Sequence, residues 1–388
     1  MDPLQFAYRP GRGVEDATLT LINTITEHLD ISGNIVRVLF MDFSSAFNTI
    51  QPHLLLQRLV DLNVNPTLVL WIKAFLKDRP QRVLVRSKLA LEAPQSHESQ
   101  SESQPESGYI QADGSVLSKE LVLNTGAPQG CVISPLLFSL YINEIICNNG
   151  ILQLIKYADD MALIARLTNE QSLYAYYEFI EFFASWFEKS FLRLNVQKTE
   201  EMCLVSGRIK ESHQALVHPL MIEDKPVNRV ASFKYLGTVI DENLSFTENV
   251  DQIFKKAQQR LHLLRKLRSF DVSEHVLQLV YRSLVESVLS FNSVSWFGHL
   301  TVKNKTKLAR VVNQASKIVG TKQPQLCDIH QKALSRKATQ ILHDKTHPLN
   351  HCFRYLRSGR RLEVPFARKN VYKKSFIPSA VSVLNASM

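Results

Sequence analysis

Apolar residues along the chain recur on two periods, separated by turn-forming residues. Val36-Arg37-Val38-Leu39-Phe40-Met41-Asp42-Phe43 is short, β-branched and aromatic, the pattern of a buried strand with a carboxylate near its end. Residues 52–62 and 66–77 then space Leu, Val, Ile and Phe at helical intervals, each run opening on Pro, which suits the first helical turn. Residues 81–87 predict a further strand, and Gly126-Ala127-Pro128-Gln129-Gly130 a tight turn into an apolar helix over 134–147. Two short apolar runs, 152–157 and 161–166, flank Ala158-Asp159-Asp160 as a hairpin with acids at its tip. Residues 170–189 predict a helix whose aromatics, among them Tyr177, Phe183 and Phe187, belong to a core. Strands are expected at 201–206 and 233–240. Beyond them the pattern is helical almost to Gly320, with amphipathic stretches at 251–270 and 273–291.

Composition changes this picture in two places. Around 93–107 the chain turns to Ser, Gln and Glu (Ser96-His97-Glu98-Ser99-Gln100-Ser101-Glu102-Ser103) with little to bury, which predicts a mobile insertion spanning about 90–120. From His347 onward Pro, Gly and basic residues mix, and a partly ordered end is expected. Otherwise the 388 residues, 45% hydrophobic and 21% charged, are those of a globular chain with room for two domains. The five cysteines are scattered, which argues against a disulfide framework. The loosely spaced Cys327, His330, His347, His351 and Cys352 raise a zinc site as an alternative to ordinary surface residues. No apolar run reaches membrane-spanning length and Met1-Asp2-Pro3 lacks a signal pattern, so an intracellular protein of the nucleus or cytoplasm, with no membrane partner, is expected.

Charge points to a partner. The net +10 divides into 21 Lys and Arg against 30 Asp and Glu over residues 1–252, and 25 against 6 over 253–388. The basic back part suits a polyanion, because neutralised phosphates release counterions. The acids suggest the chemistry. Asp159 and Asp160 at one tip repel each other unless a cation relieves them, and Asp42 at another strand end supplies a further oxygen ligand for Mg²⁺. Such a set suits nucleotidyl or phosphoryl transfer by two metals; the alternative is a strand end and a solvated turn.

Five segments, in order, resemble the reverse transcriptases of non-LTR (LINE-type) retrotransposons, in the Jockey-like group. They are Phe40-Met41-Asp42-Phe43-Ser44-Ser45-Ala46-Phe47-Asn48, residues 126–135, Tyr157-Ala158-Asp159-Asp160, Leu194-Asn195-Val196-Gln197-Lys198-Thr199 and Phe233-Lys234-Tyr235-Leu236-Gly237. The resemblance implies an α+β, palm-type polymerase fold: partial fingers and palm over 1–245, a basic helical thumb over 246–320 and a basic C-terminal region over 321–388. It implies an RNA-directed DNA polymerase that extends a DNA or RNA primer with dNTPs on an RNA template, using two Mg²⁺ ions, with Mn²⁺ as a substitute.

Residue by residue, it implies that Asp42, Asp159 and Asp160 hold the metals, with the Phe43 carbonyl as an extra ligand, and that Lys198 protonates the leaving pyrophosphate. Phe47 would be the steric gate against a ribose 2′-hydroxyl, and Gln129 and Gly130 would lie along the incoming nucleotide. Tyr235, Leu236 and Gly237 would support the primer. Arg9 and Arg12, in Phe6-Ala7-Tyr8-Arg9-Pro10-Gly11-Arg12-Gly13, would touch template or phosphate, or else hold a turn.

The family's triphosphate-holding fingers hairpin lies upstream of the segment with which this chain begins, and the acidic insertion is longer than the family's turn. A truncated reading frame is therefore expected. It carries a rival reading, a catalytically inactive RNA-binding remnant. Extension with ribonucleotides would indicate an RNA-templated RNA polymerase instead.

Overall fold

The computed structural model describes residues 1–44, 46–86, 109–110, 115–207, 211–222 and 225–387. The chain divides into two compact units, one of Met1–Ser44, Asn143–Phe187 and Arg193–Met388, the other of Ser45–Ile142 and Glu188–Leu192.

The first unit is built on a five-stranded sheet. Its central strand, Ile35–Met41, pairs antiparallel with Glu200–Val205 on one side and Asp160–Leu167 on the other; Leu152–Tyr157 follows at one edge and Asn228–Arg229 at the opposite edge. Every residue of the central strand is buried, so both faces of the sheet are covered and the strand has no polar alternation. Val36, Val38 and Phe40 meet Leu21, Ile22 and Ile25 of helix Val14–Leu29 in one core. The opposite face carries Arg37 against Tyr176 and Tyr177 of helix Glu170–Lys189.

Helix Val14–Leu29 has no counterpart among the expected elements, because its Thr-rich, β-branched sequence has poor helix propensity. Burial overrides propensity. Thr18, Thr20 and Thr26 satisfy their hydroxyls on the carbonyls of Val14, Asp16 and Ile22, and Asp16 accepts the Gly13 N–H at 2.9 Å.

The expected strand at 233–240 is a two-stranded hairpin, Ser232–Tyr235 with Thr238–Asp241, turned by Leu236 and Gly237 at positive φ. From there helix Thr247–Arg268 packs against Val302–Val319. Between them in sequence, Glu274–Val280 runs through a π-helical turn, Tyr281–Glu286, into Ser287–Ser290. Packing sets no boundary near residue 245: Tyr235, Ile240, Phe246, Val250 and Leu261 share a core with Val36, Val38 and Phe40.

In the C-terminal stretch expected to be partly ordered, the regular elements are the short turns Asn350–Cys352 and Asn370–Lys373 and the helix Phe376–Ser387. Helices Leu326–His343 and Phe376–Ser387 bury Leu334, Ile341, Ile377 and Val381 together with Leu19 of the Val14–Leu29 helix. Part of its charge is used internally, Lys337 pairing with Glu15 at 3.1 Å and Asp16 at 3.0 Å. The zinc set is dispersed: His347 binds Asp16 at 3.1 Å, His330 packs on the Phe297 ring and Cys327 is exposed. Among the described residues no group of three or more His, Cys, Asp or Glu side chains is arranged to hold a metal.

In the second unit, helices Pro52–Asp61 and Pro66–Leu76 form as the spacing predicts. The helix expected over 134–147 stops at Tyr141, where Arg58 takes the Tyr141 carbonyl and the Tyr141 hydroxyl donates to Ser190 O at 2.6 Å. The expected strand at 81–87 is split into Arg79–Gln81 and Leu84–Arg86, paired with Leu121–Leu123 and Ser115–Leu117. Most of the insertion expected over 90–120 lies outside the described residues, but Tyr109–Ile110 and Ser115–Leu117 are strands. No helix of the described residues is long and apolar enough to cross a membrane.

Candidate active site

Strand pairing assembles the acids. Met41 lies opposite Met161, so the same register brings Asp42, one residue on, beside Asp160. The hairpin Leu152–Tyr157 and Asp160–Leu167 closes at the Tyr157–Asp160 pair, leaving Ala158 and Asp159 as its two central residues. Ala158 stands at φ +55°, a left-handed conformation, and the following Asp159 and Asp160 are exposed. Burial of its surroundings, and after it the charges of Asp159 and Asp42, push the Asp160 carboxyl up to about 6.

That shift carries a sign for stability. A carboxyl raised on folding contributes most below its unfolded value, and the contribution is lost as pH rises through about 6. Asp160→Asn should therefore melt higher than the parent near pH 8 in the absence of divalent cation and match it near pH 4. Thermal melts at the two pH values check this, and equal melting at both would show that the carboxylates do not strain one another.

The lysine loop is tied to the same point. Arg193–Leu194 pairs with Phe43–Ser44, Asn195 N–H donates to the Asp42 carbonyl at 2.9 Å, and Asn195 O accepts from the N–H groups of Lys198 and Thr199. Lys198 Nζ thereby stands 4.0 Å from Asp42 Oδ2, with the lysine side chain 71% and the aspartate 45% exposed. Phe43 packs its ring edge-on against Phe187 at 4.8 Å, so its side chain belongs to the core. Phe233 stacks on Phe40 at 3.9 Å, which fastens the 232–241 hairpin to the strand that delivers Asp42. Tyr235 is buried beneath it; burial, and behind it the charge of Asp160, push its phenol up.

Asp42, Asp159, Asp160 and Lys198 are thus gathered in the first unit. Arg9 and Arg12, expected at template or phosphate, are occupied within the protein. Arg9 donates to the carbonyls of Asp2 at 2.8 Å and Gln5 at 3.2 Å, and Arg12 pairs with Asp344 and donates to Thr346 at 2.9 Å. Both half-buried side chains therefore have partners inside the protein, as the turn-holding alternative requires.

Phe47, Gln129 and Gly130 belong to the second unit. The Phe47 ring lies 5.1 Å from Phe138, and Gln129 Nε2 donates to Asn48 Oδ1 at 3.1 Å. Gly126 joins these segments: its N–H goes to Ile50 O at 2.7 Å, and Ala127 N–H to Phe47 O at 2.8 Å. Asn48, Arg79, Gly126 and Gln129 line a cavity of about 860 Å³. Arg79 carries no signal in the sequence pattern; it donates to Gly126 O at 2.9 Å and brings a cation to that cavity.

Gly126 has φ +73°, and a Cβ there would stand 2.8 Å from Asn48 Cα and 2.9 Å from Phe47 O. Backbone on both sides cannot yield, so Gly126→Ala should lower stability by about 1–3 kcal/mol. Urea titration checks the loss, and a midpoint unchanged from the parent would contradict it.

The donor set fits a divalent cation. Asp160 feels the charges of both Asp159 and Asp42, and Lys198 stands beside Asp42, but among the described residues the three acids are not arranged as a closed metal cage. Mg²⁺ typically takes one or two carboxylates and completes its shell with water and substrate phosphates, so an open set is what it needs.

The family model for reverse transcriptase (RNA-dependent DNA polymerase) matches residues 1–240, more than half of the chain, and a model for alkylated DNA repair protein alkB homolog 8, N-terminal, matches 246–287. The probable RNA-directed DNA polymerase from transposon BS of Drosophila melanogaster is 23% identical over 326 residues, covering 81% of this chain and 32% of that protein. The RNA-directed DNA polymerase from mobile element jockey of the same organism is 24% identical over 285 residues, covering 67% and 26%. This chain therefore spans about a third or less of those two relatives. Among solved structures, apo telomerase from Candida tropicalis aligns with 13% identity and a TM-score of 0.35 over 85% of this chain and 54% of that one. By the extent of the family match, the chain belongs to the reverse transcriptase (RNA-dependent DNA polymerase) family.

Proposed function

We propose that this chain is an RNA-directed DNA polymerase of retrotransposon origin, adding dNTPs to a DNA or RNA primer on an RNA template in the nucleus or cytoplasm. The observation that carries the reading is that strand register sets Asp42 beside the Asp159-Asp160 turn, close enough for both acids' charges to act on Asp160, in a chain of this family, with Lys198 4.0 Å from Asp42.

The mechanism follows from charge and placement. Asp42 and Asp159, with Asp160 beside them, would hold two Mg²⁺ ions, with Mn²⁺ able to replace them. Divalent ions held there would supply Lewis-acid chemistry, lowering the pKa of a primer hydroxyl and offsetting the triphosphate charge. The carboxylates orient the attacking and leaving oxygens from rigid strand ends, where positioning contributes most. Lys198, on a flexible four-carbon stem, carries the proton for the departing pyrophosphate. Phe47 excludes a 2′-hydroxyl by bulk, Gln129 and Gly130 lie along the nucleotide, and the Tyr235-Leu236-Gly237 turn supports the primer. The exposed Lys and Arg of helix Thr247–Arg268 meet the phosphates.

Primer extension on an RNA template with dNTPs and Mg²⁺, beside an Asp159→Asn, Asp160→Asn control, tests the reading. Extension lost in the control supports it; a parent chain that binds RNA and extends nothing is the inactive remnant.

A further inference from the structure

We propose that Gln5 is a positioning residue for the catalytic turn, an inference that rests on the polymerase reading. The segment around it runs as a short parallel stretch along the sheet edge. Lys156 N–H donates to Leu4 O and Phe6 N–H to Lys156 O, both at 2.9 Å. The Asp2 carboxylate meets Lys156 Nζ at 2.8 Å with both side chains buried, and the same ammonium reaches Ile145 O at 2.6 Å. An ion pair so deeply buried fixes register, since removing either partner leaves a charge without solvent.

This ladder puts Gln5, 1% exposed, beneath the hairpin tip. Its Oε1 accepts the Ala158 N–H at 3.3 Å and the Ala7 N–H at 3.0 Å. Ala158 is the residue in need of a hold: it is an alanine at φ +55°, and the directions of Asp159 and Asp160 follow from its conformation. The other half of the Gln5 amide strengthens the assignment. Its Nε2 is buried with no hydrogen-bond partner among the described residues, an unfavourable placement compared with an apolar side chain of equal length. The favourable part of the placement is therefore Oε1, and Oε1 serves the turn. Gln5 touches no reacting atom; it acts through Ala158.

Gln5→Met tests this, because methionine keeps the length and apolar bulk but offers no strong acceptor. Amide hydrogen exchange should quicken about tenfold at Ala158, the scale of one lost hydrogen bond, while Lys156, whose N–H goes to Leu4 O, stays within about twofold. The turnover rate of primer extension should fall about tenfold with KM for dNTP nearly unchanged, since the acids are misdirected and not removed. Unchanged exchange at Ala158 overturns the assignment whatever the activity. Equal quickening at Lys156 and Ala158 also overturns it, because Gln5 would then hold the segment and not the turn. A parent chain that extends no primer sinks the polymerase reading, and the exchange comparison alone then decides whether Gln5 holds the turn.

Discussion

Asp42→Asn and Asp159→Asn should each reduce primer extension by on the order of 10³-fold while RNA binding persists, if the proposed polymerase activity is carried by these acids. Asparagine keeps the volume and one oxygen but removes the charge on which cation binding depends. Neither side chain is core: Asp42 is 45% exposed and Asp159 fully at the surface of the turn, so the variants fold. The expected loss is in turnover, measured as single-nucleotide addition at saturating primer and template, with the binding constant for RNA unchanged within about twofold. Melting separates this from a folding defect, because removal of one carboxylate from a repelling set leaves stability the same or higher. Activity in either variant within tenfold of the parent would mean that the acids are a solvated turn and that the chemistry lies elsewhere.

The second large effect is on stability. Arg37 lies at the centre of the strand that delivers Asp42 and is 0% exposed. Its Nε and Nη2 donate to the two Glu201 oxygens at 2.7 and 2.9 Å, a bidentate pair. Tyr176 and Arg229 also donate to Glu201, at 3.0 and 2.9 Å, and the guanidinium lies over the Tyr176 ring at 5.1 Å. Burial works against the charge of Arg37, but Tyr176 and Glu201 outweigh it and hold the group protonated. Arg37→Met leaves Glu201 buried with only the partly exposed Arg229 to balance it, and should cost about 3–5 kcal/mol. Arg37→Met with Glu201→Leu removes both charges and should recover most of that loss. Denaturant midpoints for the two single and the double variants measure the coupling. A cost below about 1 kcal/mol for Arg37→Met would show that packing alone holds the strand.

The residues behind these two effects differ in how legible they are along the chain. Asp42 follows a β-branched run, and Asp159 and Asp160 sit between two apolar runs of strand length; both patterns are local, and the strands form where the patterns lie. The helices at 52–61, 66–76 and 170–189 are legible for the same reason, since their periodicity and opening Pro or Glu are local signals. Partners are not legible. Glu201 is 164 residues from Arg37, and nothing near Arg37 distinguishes it from a surface residue on an edge strand. The Val14–Leu29 helix is hidden because Thr and Ile at those positions favour a strand until the sheet and the C-terminal helices enclose them. The 232–241 segment reads as one strand because Leu236 is apolar, and its left-handed conformation leaves no trace except the following Gly237.

By itself, then, the sequence determined the α+β class, the order of the motifs, the family resemblance and the acids available for chemistry, because each depends on residue type and short-range spacing. Only the tertiary structure decided that Arg37 meets Glu201, that Arg9 and Arg12 are occupied by carbonyls and Asp344, that the C-terminal helices close over the first helix, and that Gln5 accepts the Ala158 N–H. Those facts depend on which distant groups are buried beside one another, where an unpaired charge or amide is costly and the partner is fixed by the fold.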